Sequence, residues 1–302
     1  TTTTDGVCTV DIVGVFTDAS GNENASVPQF SWTYDSIPPT VTITAGQGIT
    51  YGSESNHNPL PLIITFSEPT TFGNYITVAP QGNGNFNNLT TNNESTRFFV
   101  DFIPSTESSF MFNVPSGEYF DLGGNGNSAS NDFQWTYNNT DPQITITATN
   151  GTDAVATGSK TNDASLSLIF TSTSVAYGFH VNAIVVTKDG TTMTTAETSG
   201  LWGTSNVSGT TYDEFTPPSE GVYTFNIPAN VFRDSSDGYG NYNIASIPFT
   251  WTYDITSPSM TITCTEVAHN TTSNDAFINM IFTSTEETTT FVSGDIAVTN
   301  GT

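Results

Sequence analysis

A four-residue signature recurs three times and constrains this chain more than any other feature. Trp-Thr-Tyr-Asp stands at 32–35 and 251–254, and Trp-Thr-Tyr-Asn at 135–138, so the Trp returns at intervals of 103 and 116 residues. Phe30, Phe133 and Phe249 precede the three Trp by two positions, and Pro39, Pro142 and Pro258 follow them by seven. A Thr-Ile-Thr segment comes next each time, at 42–44, 145–147 and 261–263. Its apolar and polar residues alternate with period two, the pattern of a strand with one buried face. Further apolar segments line up as Ile63-Ile64-Thr65-Phe66, Leu168-Ile169-Phe170 and Met280-Ile281-Phe282, then as Ile76-Thr77-Val78, Ile184-Val185-Val186 and Ile296-Ala297-Val298. Late in the repeat the alternation returns at Phe110, Phe112 and Val114, and at Tyr223, Phe225 and Ile227. Self-similarity with this period marks a tandem array of one structural unit.

Composition fixes the class of that unit and removes several functions. Thr, Ser, Asn, Gly and Pro dominate while Lys, Arg and Leu are scarce, which favours strands and turns and makes the chain all-β. With 36 Phe, Trp and Tyr (12%) it packs a core rather than remaining disordered. Four Lys and Arg against 29 Asp and Glu leave a formal charge of −25. Without a basic patch, nucleic acid and anionic lipid surfaces are excluded as partners. Apolar runs of a handful of residues fall far short of the roughly 20 that cross a bilayer as a helix, so no membrane insertion is expected. The chain opens Thr1-Thr2-Thr3-Thr4 without Met or a signal-like apolar stretch and reads as a processed or trimmed segment.

Short strands, turn signals every 8 to 15 residues and a period near 100 residues describe tandem immunoglobulin-like β-sandwiches. On these residues the chain resembles the bacterial Ig-like repeats of large extracellular adhesins and biofilm proteins. In those a unit ends in an Asp-Ala-x-Gly-Asn turn, a Phe-x-Trp-x-Tyr-Asp strand and a short Pro linker. The resemblance covers essentially the whole chain and implies an extracellular or cell-surface protein used in stalks, adhesins or fibres. The three Trp, on the last strand of each unit, are expected as core anchors. Residues 39–138 and 142–254 are complete units, 1–35 matches the C-terminal part of one, and 258–302 matches the N-terminal part. Together the two fragments lack the stretch equivalent to 192–215 of the second unit. Either the chain is a window on a longer array, or the head half of one copy is completed by the tail half of the next. The second arrangement is heterologous and grows into a homopolymer. One cysteine lies in each fragment, and both Cys8 and Cys264 fall at inward strand parity. They form either a disulfide, between subunits in the polymer, or two small buried hydrophobes.

The turn before each Trp strand is acidic and rich in Gly and Asn, at 18–24, 121–127 and 234–243. In an Ig-like topology it sits beside the linker from the preceding unit, as does the loop holding Glu68, or Glu286 and Glu287. Oxygen ligands from Asp35 or Asp254 in a linker, from Asp121 or Asp234 in the turn, and from Glu68 and Asn125 would there converge on calcium, which takes six to eight. The alternative is that the Gly-Asn sequence supplies the left-handed residues of a hairpin. N-linked glycans are expected among eight Asn-x-Ser/Thr sequons, at Asn24, Asn88, Asn93, Asn138, Asn150, Asn206, Asn270 and Asn300. Their number is about what chance produces in a chain this rich in Asn, Ser and Thr. Catalysis has no support: His57, His180 and His269 are scattered without a nucleophile or acid at triad spacing, and pairs such as Glu286-Glu287 or Asp213-Glu214 read as solvated loop charges. Trp202, in an insertion of the second unit, is either a lateral contact or local filler. The expected role is a structural subunit of an extracellular filament or stalk assembling head to tail. The alternative is a spacer array in an adhesin whose binding domain lies elsewhere.

Overall fold

A computed structural model describes residues 4–71, 76–180, 183–194, 210–235 and 238–300, with side chains of 210–213 excepted. Asn206 and Trp202 lie outside the described residues. An antiparallel pair, β1 (Gly6–Val10) and β2 (Phe30–Tyr34), comes first. Unit one follows with β3 (Val41–Ala45), β4 (Ser53–Ser55), β5 (Leu60–Phe66), β6 (Thr77–Ala79), β7 (Gly84–Thr91), β8 (Arg97–Pro104), β9 (Ser108–Asn113) and β10 (Phe133–Tyr137). Unit two has β11 (Ile144–Thr149), β12 (Ala154–Val155), β13 (Ser159–Thr161), β14 (Leu166–Ser172), β15 (Val185–Lys188), β16 (Thr191–Thr192), β17 (Thr210–Phe215), β18 (Gly221–Asn226) and β19 (Phe249–Tyr253). A second antiparallel pair, β20 (Met260–Cys264) and β21 (Met280–Ser284), completes the series.

Each unit is two sheets face to face. In unit one these run β3-β5-β8-β7 and β4-β10-β9-β6, and in unit two β12-β11-β14-β17 and β13-β19-β18-β15-β16. The pairing is antiparallel except where β4 and β13 lie parallel to the Trp strands β10 and β19. Period-two alternation sets the faces: Leu60, Leu62, Ile64 and Phe66 of β5 are buried, as are Phe98, Val100 and Phe102 of β8 opposite Phe110 and Phe112 of β9. Two separate apolar cores result, one drawn from Val41 to Tyr137 and the other from Ile144 to Trp251. One register differs from the sequence alignment. Ile43 pairs with Ile64, Ile146 with Phe170 and Ile262 with Phe282, so Phe170 and Phe282 match Ile64 rather than Phe66. The shift of two preserves the parity, so the same face points inward in either register.

Trp135 and Trp251 are fully buried, and each indole N–H is satisfied by a hydroxyl on the parallel strand beside it. Trp135 Nε1 donates to Ser55 Oγ at 2.8 Å and Trp251 Nε1 to Thr161 Oγ1 at 2.8 Å. Trp32 on β2 is 38% exposed, in company with Val7, Val10 and Phe30. The β20–β21 pair likewise shows Met260, Ile262, Met280 and Ile281 to solvent. Trp251→Ala is therefore expected to cost unit two about 3–5 kcal/mol, through lost packing and a stranded hydroxyl. Trp32→Ala in the isolated chain should leave both cores unchanged, and denaturant melts of the full chain separate the two cases.

Candidate functional site

The acidic turns and the linkers meet at the joints, where the same two devices recur. The first is a clasp between an Asp and an Asn in the turn before the Trp strand. Asp121 accepts from the Asn125 main-chain N–H at 2.8 Å and from its side-chain amide at 2.9 Å. Asp234 does the same with Asn241 at 2.7 and 3.1 Å, and Asp18 with Asn22 at 3.0 and 2.9 Å. A carboxylamide has two N–H donors, so the Asn can hold its Asp and still reach a second acceptor. That acceptor is the carbonyl of the last residue of the Trp-Thr-Tyr-Asp or Asn signature in the unit before. Asn125 Nδ2 donates to Asp35 O at 3.1 Å and Asn241 Nδ2 to Asn138 O at 3.0 Å. The approach is close at Gly123, where a Cβ would lie 3.2 Å from Asp35 O, so a larger residue there would require the linker to give by a few tenths of an ångström.

The second device grips the linker from the other side. Asp5 accepts from the Ser36 N–H and hydroxyl at 2.7 and 2.8 Å. Glu107 accepts from the Asn139 N–H at 2.7 Å and the Thr140 hydroxyl at 2.8 Å. Glu220 takes the Ile255 N–H at 2.6 Å and the Thr256 hydroxyl at 2.8 Å. The residue at the end of each signature closes a local turn as well, with Ile37, Thr140 and Thr256 N–H groups donating to the Asp35, Asn138 and Asp254 side chains. Sequence reasoning passed over these acids, although Asp5, Glu107 and Glu220 each stand three residues before the aligned Cys8, Phe110 and Tyr223.

Of the expected cation ligands, the structure brings Asp35, Glu68 and Asp121 together at the first joint, one carboxylate oxygen of each lying within 4.8 Å of the others. Asp121 is buried at 4% exposure. Burial alone would raise its carboxyl, but the Asn125 amide and main-chain N–H groups of Asn125, Gly124 and Gly123 outweigh this and hold it below the usual range. For Glu68, desolvation, followed by the charges of Asp35 and Asp121, pushes the carboxyl above the usual glutamate range. Asn125 spends its amide on the clasp. At the second joint the corresponding positions are Asn138, Ser174 and Asp234, leaving a single carboxylate. There the longer turn of unit two instead sets Tyr239 against His57 of unit one, ring centroids 4.2 Å apart and tilted by 42°, and the Tyr239 carbonyl accepts from the Asn56 N–H at 3.2 Å.

Asp254 meets a basic side chain of the chain itself. At the third joint Lys160 makes ion pairs with Asp254 and, at 3.1 Å, with Glu286, so an ammonium of the chain stands where the first joint has carboxylates alone. The side-chain bonds to Asp254 and Glu286 raise the Lys160 ammonium, and Lys160 holds Asp254 below the ordinary carboxylate range. Lys160 went unremarked in the sequence because its meaning depends on pairing β13 with β19, which puts it level with Glu54 of unit one.

The remaining candidates separate. Cys8 and Cys264 are free, half-buried thiols on β1 and β20, and Cys264 Sγ lies 3.1 Å from Glu266. Asn93, Asn270 and Asn300 are exposed. Asn88, Asn138 and Asn150 direct their amides to Asp101, Glu54 and Asp163. Asn24 repeats Asn127 and Asn243, each 2% exposed, whose oxygen caps two N–H groups and whose amide satisfies two carbonyls. A glycan at that position does not fit a complete unit.

No protein-family model and no curated protein matches the chain. Among solved structures it is similar to the C-terminal domain of the Streptococcus agalactiae AgI/II polypeptide BspA, at 10% identity and TM-score 0.32, over 71% of this chain and 100% of that one. It is also similar to the Yersinia pseudotuberculosis adhesin InvE, at 11% identity and TM-score 0.25 over 71% and 59%, and to the S-layer protein rSbsC, at 12% and 0.23 over 76% and 42%. The functional reading rests on the chain's own geometry.

A carboxyl with a raised value in the folded protein holds its proton more tightly there. The Glu68 contribution to the first joint is then full while its carboxyl is protonated and is lost as pH rises through the elevated Glu68 range, whereas Asp121, held low, contributes in the opposite sense and is lost only toward more acid pH. Glu68→Gln should remove that loss, as read from thermal melts of the full chain between pH 4 and 7.

Proposed function

We propose that the chain is a structural segment of an extracellular filament or stalk, in which Ig-like units are held in fixed succession by their joints. The observation that carries this reading is the repeated grip on the linkers: all three are held by an upstream carboxylate, and two also by a downstream Asn clasp. Loose spacers need neither device. The reading is mechanical because these contacts hold main-chain groups of the linkers in place. Few basic residues also mean that contacts between copies depend on apolar faces, strand edges and cations.

Two finer features belong to the proposal. Calcium binds the first joint through Asp35, Glu68 and Asp121, a set of hard oxygen donors that repel one another until a cation joins them. The Lys160 ammonium between the matching Asp254 and Glu286 supports a cation at that position in the repeat. Copies then join head to tail, β1–β2 of one with β20–β21 of another, which covers the apolar faces that each pair exposes. N-glycans at exposed sequons such as Asn93 would coat the sides of the filament. The reading as adhesin spacers is favoured by one observation, that both complete units have closed cores of their own and could be strung in any number.

Electron microscopy of the purified chain, with calcium and with chelator, tests the proposal. Fibres with an axial repeat of about three unit lengths, stiffened by calcium, are expected. Monodisperse short rods would reject head-to-tail joining and leave the spacer reading, and fibres indifferent to chelator in both shape and melting temperature would reject the calcium site.

A further inference from the structure

In both complete units the hairpin that ends in the Trp strand is flanked on each side by a strand from the first half of the unit. Hairpin β9–β10 lies between β6 and β4, and β18–β19 between β15 and β13. The pair β1–β2 repeats that hairpin residue for residue: Cys8 faces Trp32 across it as Phe110 faces Trp135 and Tyr223 faces Trp251. Among the described residues, neither of its outer edges carries a strand.

Residues 258–300 hold both missing neighbours. Thr271 N donates to Ala268 O at 3.2 Å and its hydroxyl to the same carbonyl at 2.7 Å. Ser53 makes the same two bonds to Thr50 O, and Ser159 to Ala156 O, in the turns that open β4 and β13. Thr271 thus starts the equivalent of those strands, and Ser273 stands where Ser55 and Thr161 receive the Trp indole. Val298 corresponds to Val78 and Val186, which pair with Phe112 and Phe225.

Resting on the head-to-tail reading, we infer the register of the joining: residues 271–273 of a second copy lie parallel to β2, with Trp32 opposite Thr271, Thr33 opposite Thr272 and Tyr34 opposite Ser273. Residues 297–299 of that copy lie antiparallel to β1, with Val10 opposite Val298. The hairpin is clamped along both edges, Trp32 Nε1 donates to Ser273 Oγ, and the spare N–H of Asn22 reaches the Asp254 carbonyl as Asn125 and Asn241 reach theirs. Asp18 then joins Asp254 and Glu286 around Lys160.

The sizes of the core residues support a second copy as the occupant. Phe110 and Phe112 pack on Phe102 of β8 at 4.8 and 4.9 Å, and Tyr223 and Phe225 on Phe215 of β17 at 5.2 and 5.0 Å. At the two positions that face β8 or β17 in the complete units, the hairpin β1–β2 has Cys8 and Val10 in place of aromatic rings. Small side chains there leave room for the apolar residues that β20–β21 of a second copy exposes, among them Ile262 and Met280.

The test is an engineered disulfide in the full chain, Thr33→Cys with Thr272→Cys, in a background of Cys8→Ala and Cys264→Ala. After oxidation, a non-reducing gel should show a ladder of dimers, trimers and longer species. Thr33→Cys with Ser273→Cys, displaced by one residue, should cross-link at least tenfold less, because a one-residue slip turns the thiol to the other face. Fibres that form while the two pairs cross-link equally or not at all would overturn the register and leave head-to-tail joining intact. A chain that neither assembles nor cross-links would overturn both, and a link formed only within one chain would show that no second copy is involved.

Discussion

The side-chain amide of an asparagine that serves two masters at once governs how successive units meet. Asn125 and Asn241 each hold a turn carboxylate with one N–H and the preceding linker's carbonyl with the other. Because the Asp fixes the Asn, the second bond has a fixed direction. Each such bond contributes only about 1 kcal/mol net. Its value lies in geometry: a linker carbonyl and the N–H groups on the opposite grip are polar, and once partly shielded they cost more unpaired than paired. The polar joint and the apolar cores thus do separate jobs, the cores fixing each sandwich and the joints fixing its neighbours.

The electrostatics of the chain concentrate at those joints. With four basic residues in the chain, carboxylates meet other carboxylates more readily than cations. Among the described residues, the first joint leaves Asp35, Glu68 and Asp121 without a basic partner, the second has Asn138 and Ser174 in place of two of the acids, and the third sets Lys160 between Asp254 and Glu286. The three joints thus handle the same concentration of acidic groups in three different ways. A net charge of −25 is consequently less a uniform coat than a set of local problems solved joint by joint.

Much of the fold was legible because period-two alternation and a conspicuous Trp survive in every copy. Val41, Ile43, Trp135 and Phe112 needed only parity to be placed inward. The β5 alignment slipped by two at Phe66, since a pattern of period two does not distinguish registers two apart. At the joints, Asp35, Glu68 and Asp121 could be grouped from topology alone, by asking which loops share an end of the sandwich. Lys160 could not, because its neighbours Asp254 and Glu286 are brought to it by a parallel pairing that no local pattern encodes. Asn127 and Asn243 read as turn residues, yet they are buried connectors; four hydrogen bonds made by one amide leave no trace in sequence beyond the residue's identity. The acids Asp5, Glu107 and Glu220 were visible in the repeat, and their role emerges only once the linker lies across them.

The central claim is that the joints fix the orientation of one unit relative to the next. Distances between spin labels at Thr65→Cys in unit one and Thr171→Cys in unit two, in a chain without Cys8 and Cys264, test it most directly. A single narrow distribution is expected, broadening when Asn241→Ala and Glu107→Gln release the linker together. A broad distribution in the unaltered chain, unchanged by those substitutions, would contradict it.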